Sequence, residues 1–265
     1  MATDNLDVLR IQVRAWLDSN IPPDLKLPPR GTDMSEDLID WTLFFRRKLG
    51  GQGWLAPDWP THFGGGGYSS EAAQLVREEL RRRPLPPLPL DNMWLTPMRA
   101  FGTEDQKARW LSRTLRGEIT VTHAISEPRG GSDLAGQQTI ATKDGDGYLV
   151  TGEKGYIHGP FVPDFLFLLV NTDPDGPKYE NLSTVIMDVD TDGVTFKKGS
   201  RTIMGTTDSN VIMDKVWVPA DRVVGGEGNG WAVAQCMIDV ERGGPGVTAD
   251  QREEIERRER EHWGS

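Results

Sequence analysis

The chain has 265 residues, with 30 Lys or Arg and 40 Asp or Glu, giving a formal net charge of −10. This acidic balance argues against a nucleic acid or an anionic membrane surface as the main partner, because both require a basic patch. No apolar run approaches the roughly 20 residues that a membrane-spanning helix needs. The single cysteine, Cys236, excludes an internal disulfide and a multi-cysteine metal site. With no signal-peptide pattern at the amino terminus, these features predict a cytoplasmic protein without a metal site.

Residues 1–118 predict an amino-terminal helical domain. Apolar side chains recur at the three- and four-residue steps of amphipathic helices over 6–17, 35–49 and 70–82. The stretch 53–67 is rich in Gly and Pro, which indicates a loop. Thr103 follows a glycine and precedes acidic residues, so we expect it to cap the start of a further helix.

Residues 119–226 predict a middle β-domain. From Ile119 the apolar residues alternate with polar ones, the period of a strand. Further strands are expected at 138–143, 147–152, 165–170, 183–188, 194–198 and 211–218. An Asp-Gly pair at 144–145 predicts a hairpin between the first two of these strands. Short strands separated by turn residues favour a small antiparallel β-barrel or sandwich.

Residues 227–265 predict the start of a further helical domain. A helical pattern begins at Asn229 and continues to Arg242. The segment 250–261 is almost wholly charged, and its only apolar residue is Ile255. Charge pairs can support an isolated helix there, but without an apolar stripe we expect no anchorage to a core. The predicted fold class is therefore α+β, in which an all-α domain, a β-domain and the beginning of a carboxy-terminal helical domain follow each other.

The stretch with the clearest chemical meaning runs from His123 to Asp133. A strand leads into a turn that contains Gly130 and Gly131, flanked by Ser126 and Ser132. Such a turn presents N–H groups and hydroxyls without obstruction, as an anionic or carbonyl-rich cofactor requires. The same composition is also common in ordinary β-turns, so the turn alone leaves both interpretations open.

Short sequence motifs on both sides of this turn are similar to those of one enzyme family. They are Trp59-Pro60-x-x-Phe63-Gly64-Gly65 and Gly102-Thr103-x-x-Gln106-Lys107 upstream, and Thr139-x-Ala141, Gly145-Asp146-x-Tyr148-x-Val150-x-Gly152-x-Lys154, Val218-Pro219, Val224-Gly225 and Gly230-Trp231 downstream. Together with Ser126-Glu127-Pro128-x-Gly130-Gly131-Ser132-Asp133 they resemble the acyl-CoA dehydrogenase family over residues 5–242. The sequence pattern, including the Glu-Arg pair near its end, is most similar to the bacterial branch of the family that serves fatty-acid or steroid side-chain degradation.

The resemblance implies a fold, a cofactor and a reaction. Members of this family enclose FAD between a helical domain, a middle β-domain and a four-helix domain. They oxidise an acyl-CoA thioester between its α and β carbons: a glutamate removes the α-proton while the β-hydride passes to flavin N5. An electron-transfer acceptor and a homo- or hetero-oligomeric assembly are the further partners that the resemblance implies.

By position, the resemblance assigns flavin contacts to the strand, the turn and the segment that follows Lys154. The residues concerned are His123, Ile125, Ser126, Gly131, Ser132, Tyr156, Ile157 and His158. Ser132 is also expected near the substrate. Tyr156 is expected to stack on the dimethylbenzene side of the flavin. His158 replaces a Ser or Thr of the family, and it either donates towards N5 or is a surface histidine.

Glu241 occupies the place of the catalytic base in one branch of the family. Its neighbours Asp239 and Arg242 match positions that contact the CoA part of the substrate. The alternative is that these charges decorate a helix end, because Gly243-Gly244-Pro245 follows directly.

The family's chain continues through a full helical bundle, of which this sequence holds only the beginning. We therefore expect a fragment, a truncated product or one half of a split assembly. Three hypotheses compete: an FAD-dependent dehydrogenase active in an oligomer, a non-catalytic or partial subunit of a heteromeric dehydrogenase, and a small-molecule-binding β-domain without enzymatic activity.

Overall fold

The amino-terminal part of the protein is helical, as predicted. The computed structural model describes residues 5–29, 32–201 and 207–264, so the outermost limits of the predicted domains, residues 1 and 265, lie outside it. The helices are α1 (Leu6–Asn20), α2 (Glu36–Gly51), α3 (Ser70–Arg81), α4 (Asn92–Phe101), α5 (Glu104–Gln106) and α6 (Ser112–Leu115). A 3-10 turn forms at Thr61–Phe63, and a π-helical turn at Lys107–Leu111 joins α5 to α6.

Side-chain caps define where these helices begin. Thr103 accepts a hydrogen bond from the Gln106 N–H while the Gln106 side chain accepts one from the Thr103 N–H, a reciprocal capping box that confirms the predicted cap. Asp91 caps α4 with a single side-chain hydrogen bond, which it accepts from the Met93 N–H at 2.9 Å. The sequence did not indicate α4, whose interior contains Pro97.

The middle part forms a single mixed sheet in the described residues. Its strands are β1 (Val121–Ala124), β2 (Ile140–Asp144), β3 (Gly147–Ile157), β4 (Phe165–Asn171), β5 (Leu182–Asp188), β6 (Val194–Arg201), β7 (Thr207–Pro219) and β8 (Val223–Val224). The order is β6-β7-β3-β2-β4-β5-β8, with β1 beside β4. Both β1 and β2 run parallel to β4, and the other pairs are antiparallel.

This topology corrects the expectation of an antiparallel barrel. The Asp-Gly hairpin between β2 and β3 forms as predicted, but the connections that precede and follow it are long enough to place β1 and β2 parallel to β4. Within the described strands, the path ends at β6 on one side and β8 on the other, so the sheet is open.

The carboxy-terminal part contains α7 (Gly230–Glu241) and α8 (Ala249–Trp263). The expectation that the charged tail has no anchor is wrong. Arg99 of α4 donates two hydrogen bonds, at 2.9 and 2.8 Å, to the buried carboxylate of Glu259, and Ile255 is also buried. Trp263 donates from Nε1 to Glu104 at 2.7 Å. An ion pair and a terminal aromatic ring therefore hold α8, where the sequence pattern showed no apolar stripe.

A shared core joins the sheet to the helices. Residues of α4, β1, β4, β5 and α7 form one buried cluster, within which Trp94 and Phe167 meet edge to face at 5.1 Å. A second cluster covers the other face of the sheet, and a third lies among α1, α2 and α3. The first cluster packs α7 near the end of β1. A cleft lies between the end of β1 and α7. Within the described residues, no helix has the length and apolar character needed to cross a membrane.

Candidate functional site

The cleft between the end of β1 and α7 collects several of the predicted site residues. It encloses about 560 Å³ and is lined by Ile125, Ser126, Gly131, Ser132, Asp133, Leu134, Ala135, Tyr179, Trp231, Ile238, Glu241 and Arg242. Ser126, Gly131 and Ser132 thus face the same space as Glu241, although more than 100 residues of chain separate them. The structure brings together the predicted cofactor turn and the predicted base.

The turn after β1 presents unused hydrogen-bonding groups. Gly130 donates its N–H to the Glu127 carbonyl at 3.1 Å, which closes the turn. Gly131 and Ser132 are exposed, and their N–H groups bond to no other described residue. A Cβ built on Gly131 would meet nothing within 4 Å. These open N–H donors, with the two serine hydroxyls, fit a carbonyl-rich or anionic group such as a flavin nucleotide.

A buried ion pair holds the turn from beneath. Glu127 accepts the N–H groups of Gln138 and Thr139, each at 2.8 Å, and the Nζ of Lys154 at 2.9 Å. Lys154 also donates to the side chain of Gln137. Burial alone would raise the pKa of Glu127, but the Lys154 charge and these hydrogen bonds lower it below its usual value. Sequence reasoning noted Glu127 and Lys154 as part of the motif and missed this role.

The end of β3 lies against the turn, but its predicted contact residues point in different directions. Gly155 donates its N–H to the Ser126 carbonyl at 3.0 Å. Tyr156 is exposed, with a backbone φ of 59°, and His158 is exposed as well. Ile157 is buried in the core of the sheet and does not line the cleft. The structure therefore presents Tyr156 and His158 to solvent beside Ser126, while Ile157 packs inside.

His123 on β1 is held by Asp91. The Asp91 carboxylate accepts from the backbone N–H of His123 at 2.9 Å and contacts its Nδ1 at 2.7 Å. Burial opposes protonation of the ring, but the hydrogen bond and charge of Asp91, with the charge of Glu241, outweigh it and raise the pKa of His123. Sequence reasoning selected His123 but did not find Asp91, whose distance along the chain conceals the pairing.

The charged residues at the end of α7 lie in two separate places, two of them in the cleft and one outside it. Glu241 and Arg242 are exposed and line the cleft. Asp239 accepts the Gly246 N–H at 2.7 Å, which closes the turn after the helix, and Asp239 is not among the cleft residues. The predicted substrate-binding set is thus divided, since Ser132 and Arg242 share the cleft and Asp239 stabilises the chain reversal beside it.

Two aromatic residues complete the lining of the cleft: Tyr179, which sequence reasoning missed, and Trp231, which it noted only as part of a motif. Tyr179, from the loop between β4 and β5, meets Trp231 of α7 with ring centroids 4.9 Å apart. Lys178 binds the carboxylate of Asp133 at 2.9 Å, which ties that loop to the cofactor turn. In the described residues, no group of three or more His, Cys, Asp or Glu is arranged to hold a metal ion.

Comparisons with known proteins agree on one family. The family models "Acyl-CoA dehydrogenase, N-terminal domain" and "Acyl-CoA dehydrogenase, middle domain" match residues 3–118 and 122–216. Acyl-CoA dehydrogenase FadE29 of Mycobacterium tuberculosis is 31% identical over 239 residues, covering 88% of this chain and 60% of that protein.

Solved structures show the same similarity. The "Tcur3481-Tcur3483 steroid ACAD" is 29% identical with a TM-score of 0.74, over 93% of this chain and 63% of that chain. The ChsE4-ChsE5 complex from Mycobacterium tuberculosis is 26% identical with a TM-score of 0.69, over 90% of this chain and 60% of that one. The chain therefore spans less than two thirds of the length of these relatives.

Proposed function

Since the chain belongs to the acyl-CoA dehydrogenase family, a family of FAD-dependent oxidoreductases, we propose that it forms the flavin- and thioester-binding core of such an enzyme. The reaction is α,β-dehydrogenation of an acyl-CoA. The observation that carries the proposal is the single cleft in which Ser126, Gly131 and Ser132 face Glu241.

The proposal also includes a domain division and a cellular location. The domains are residues 1–118, 119–226 and 227–265. The proposed location is the cytoplasm.

The residues around the turn suit FAD. The N–H groups of Gly131 and Ser132 and the hydroxyls of Ser126 and Ser132 supply donors for carbonyl and phosphate oxygens. His123 lies on β1 and Tyr156 on β3, while Ile125 and His158 directly follow the ends of these two strands; Ile157 is buried in the core of the sheet. FAD, when bound, provides the acceptor for the β-hydride.

Glu241 is the proposed base. Glu241 lines the same cleft as Ser132, where it can take the α-proton of a thioester bound in that cleft. Arg242 and Ser132 contact the substrate, and Asp239 stabilises the turn that follows Arg242. A substrate that fills the cleft displaces water from Glu241, which favours transfer of the proton to the base.

A second candidate function is that of a partial or non-catalytic subunit of a heteromeric dehydrogenase. One similar solved structure is the ChsE4-ChsE5 complex, and the chain spans only 60% of that neighbour. In this proposal a homo- or hetero-oligomeric partner completes the flavin site, and an electron-transfer acceptor reoxidises the assembly.

The absorption spectrum of the purified chain, with and without added FAD, tests the proposal first. We expect a retained or restored flavin band. A chain that remains colourless would contradict flavin binding by this chain alone and would favour the partial-subunit function.

Glu241→Gln then tests the base in the flavin-loaded assembly. We expect unchanged FAD binding and a roughly thousandfold slower anaerobic bleaching by acyl-CoA, within the range that general bases contribute. Glu253→Gln, which neutralises an exposed residue on α8, is the control. Bleaching of Glu241→Gln at the control rate would remove Glu241 as the base.

A further inference from the structure

The side chain of Gln137 joins the two ends of the cofactor turn, which lies between Ile125 and Leu134. Gln137 is buried, with 4% of its surface exposed. Its Nε2 donates to the Ile125 carbonyl at 3.1 Å and to the Leu134 carbonyl at 2.8 Å. Both N–H groups of the amide are therefore used, one at the beginning of the turn and one at its end.

The amide oxygen of Gln137 bonds to the buried ion pair. Its Oε1 accepts from the Nζ of Lys154, which also donates to Glu127 at 2.9 Å. Turning the amide over would set its oxygen against two carbonyl oxygens and its NH2 group against the ammonium, so the chemistry of its neighbours fixes its orientation. The ammonium polarises the amide and strengthens its two N–H groups as donors.

Backbone hydrogen bonds within the described turn are local. Gly130 donates to the Glu127 carbonyl at 3.1 Å, and Gly136 donates to the Asp133 carbonyl at 3.0 Å. Neither bond connects the beginning of the turn with its end. The cross-link that determines how these two ends approach each other is therefore the side chain of Gln137.

Gln137 itself does not line the cleft. Ile125 and Leu134, whose carbonyls it holds, do line the cleft, together with the turn residues Gly131 and Ser132. Any effect of Gln137 on a ligand in the cleft must therefore pass through the backbone of the turn.

We propose that Gln137 is a positioning residue that holds the cofactor turn in the conformation in which the N–H groups of Gly131 and Ser132 are open to the cleft. Its effect on flavin binding rests on the proposed function, whereas its effect on the turn does not. The alternative is a structural role in which Gln137 only supplies a hydrogen-bond acceptor to the buried Lys154 ammonium.

Tryptic cleavage of the full chain after Arg129 tests the effect on the turn. Arg129 is exposed within the turn, and its cleavage rate follows the population in which the turn is open. Gln137→Met keeps a side chain of similar length but removes both donors, so we expect roughly tenfold faster cleavage after Arg129. Cleavage after the exposed Lys48 of α2 should keep its wild-type rate, which excludes general unfolding as the cause.

Gln137→Glu separates the proposal from the alternative. Beside the Lys154 ammonium the new carboxylate stays ionised, so it accepts from Nζ but cannot donate to the two carbonyls. We expect cleavage after Arg129 to be accelerated as in Gln137→Met. A wild-type rate in Gln137→Glu with a raised rate in Gln137→Met would overturn the proposal in favour of the acceptor role.

Gln138→Met is the matched control at the next position. The Gln138 side chain is exposed and donates only to the Gly136 carbonyl at 3.1 Å, while its backbone N–H bond to Glu127 is kept in the variant. Cleavage after Arg129 should remain at the wild-type rate. Equal rates in Gln137→Met and Gln138→Met would overturn the proposal.

The dissociation constant of FAD, measured by flavin fluorescence, tests the effect on the ligand. We expect it to rise roughly tenfold in Gln137→Met, because the turn is no longer preorganised, and to stay unchanged in Gln138→Met. An open turn with unchanged FAD affinity would overturn the positioning role. A wild-type chain that binds no FAD would contradict the proposed function, and the cleavage rates would still decide whether Gln137 holds the turn.

Discussion

At the residue scale, Lys154 shows that the cofactor turn depends on a side chain beneath it as well as on its glycines. Its ammonium group is fully buried and lies 2.9 Å from the Glu127 carboxylate. Burial lowers the pKa of Lys154, and the Glu127 charge opposes this effect. Each of the two buried charges is stable in the interior only because the opposite charge lies beside it.

Lys154→Met should therefore destabilise the protein strongly. Glu127 would remain buried without its cation, and we expect a loss of about 3 kcal/mol in the free energy of unfolding at neutral pH, measured in urea. Lys197→Met, at an exposed position of β6, is the matched control and should change stability by less than about 0.5 kcal/mol. Equal unfolding midpoints for the two variants would contradict this account.

The same pair sets a pH dependence. The pKa of Glu127 in the folded protein lies below its usual 4.5, so the pair contributes stability above that value and loses it as the pH falls through the folded pKa. The difference in stability between wild type and Lys154→Met should accordingly shrink below about pH 4.

At the scale of the element, α8 shows how a helix without an apolar stripe can dock. Glu259 faces Arg99 with only 4% of its side chain exposed, and the Trp263 ring stacks on His62 at 5.6 Å between centroids. The exposed pairs of Arg257 with Glu254 and Glu261 support the helix itself but do not attach it to the rest of the protein. The tertiary ion pair decides where the helix lies.

Glu259→Gln should release α8 from α4. Hydrogen exchange in residues 249–263 should become roughly tenfold faster or more, because the charged partner of Arg99 is lost while the sheet keeps its protection. Glu253→Gln, on the exposed side of the same helix, should leave exchange unchanged. Rapid exchange of α8 already in the wild-type chain would show that the ion pair does not hold it.

At the scale of the whole molecule, Gly230 is where the start of α7 packs against the backbone of β5. A Cβ there would lie 2.6 Å from the Ser183 nitrogen and 2.7 Å from the Leu182 carbonyl carbon, so only glycine permits this approach. The helix that Gly230 begins carries Trp231 and Glu241, two of the residues that line the cleft.

Gly230→Ala should push α7 away from β5. We expect a loss of about 2 kcal/mol in thermal or urea unfolding, the usual cost of overpacking against backbone. Gly51→Ala is the control, because a Cβ there meets nothing within 4 Å and alanine favours a helix. A Gly230→Ala variant as stable as this control would contradict the close contact.

Local patterns predicted much of the fold. The periods of 3.6 and 2 located α1, α2, α3, α7 and most strands, because they depend on neighbours in the chain. They missed α4, where Pro97 interrupts the signal, and they ended β3 at Gly152, where the register shifts and the strand nevertheless continues to Ile157. The assigned roles of the site residues remain predictions.

The sequence by itself determined the α+β order, the capping of α5 and the family, since these depend on composition, local spacing and motif words. Only the tertiary structure decided the parallel placement of β1 beside β4, the docking of α8, the pairing of Asp91 with His123 and the cleft that Ser132 shares with Glu241. These features depend on distances between residues far apart in the chain. Periodicity cannot encode such distances, because they arise when the shared core brings α4, β1 and α7 together.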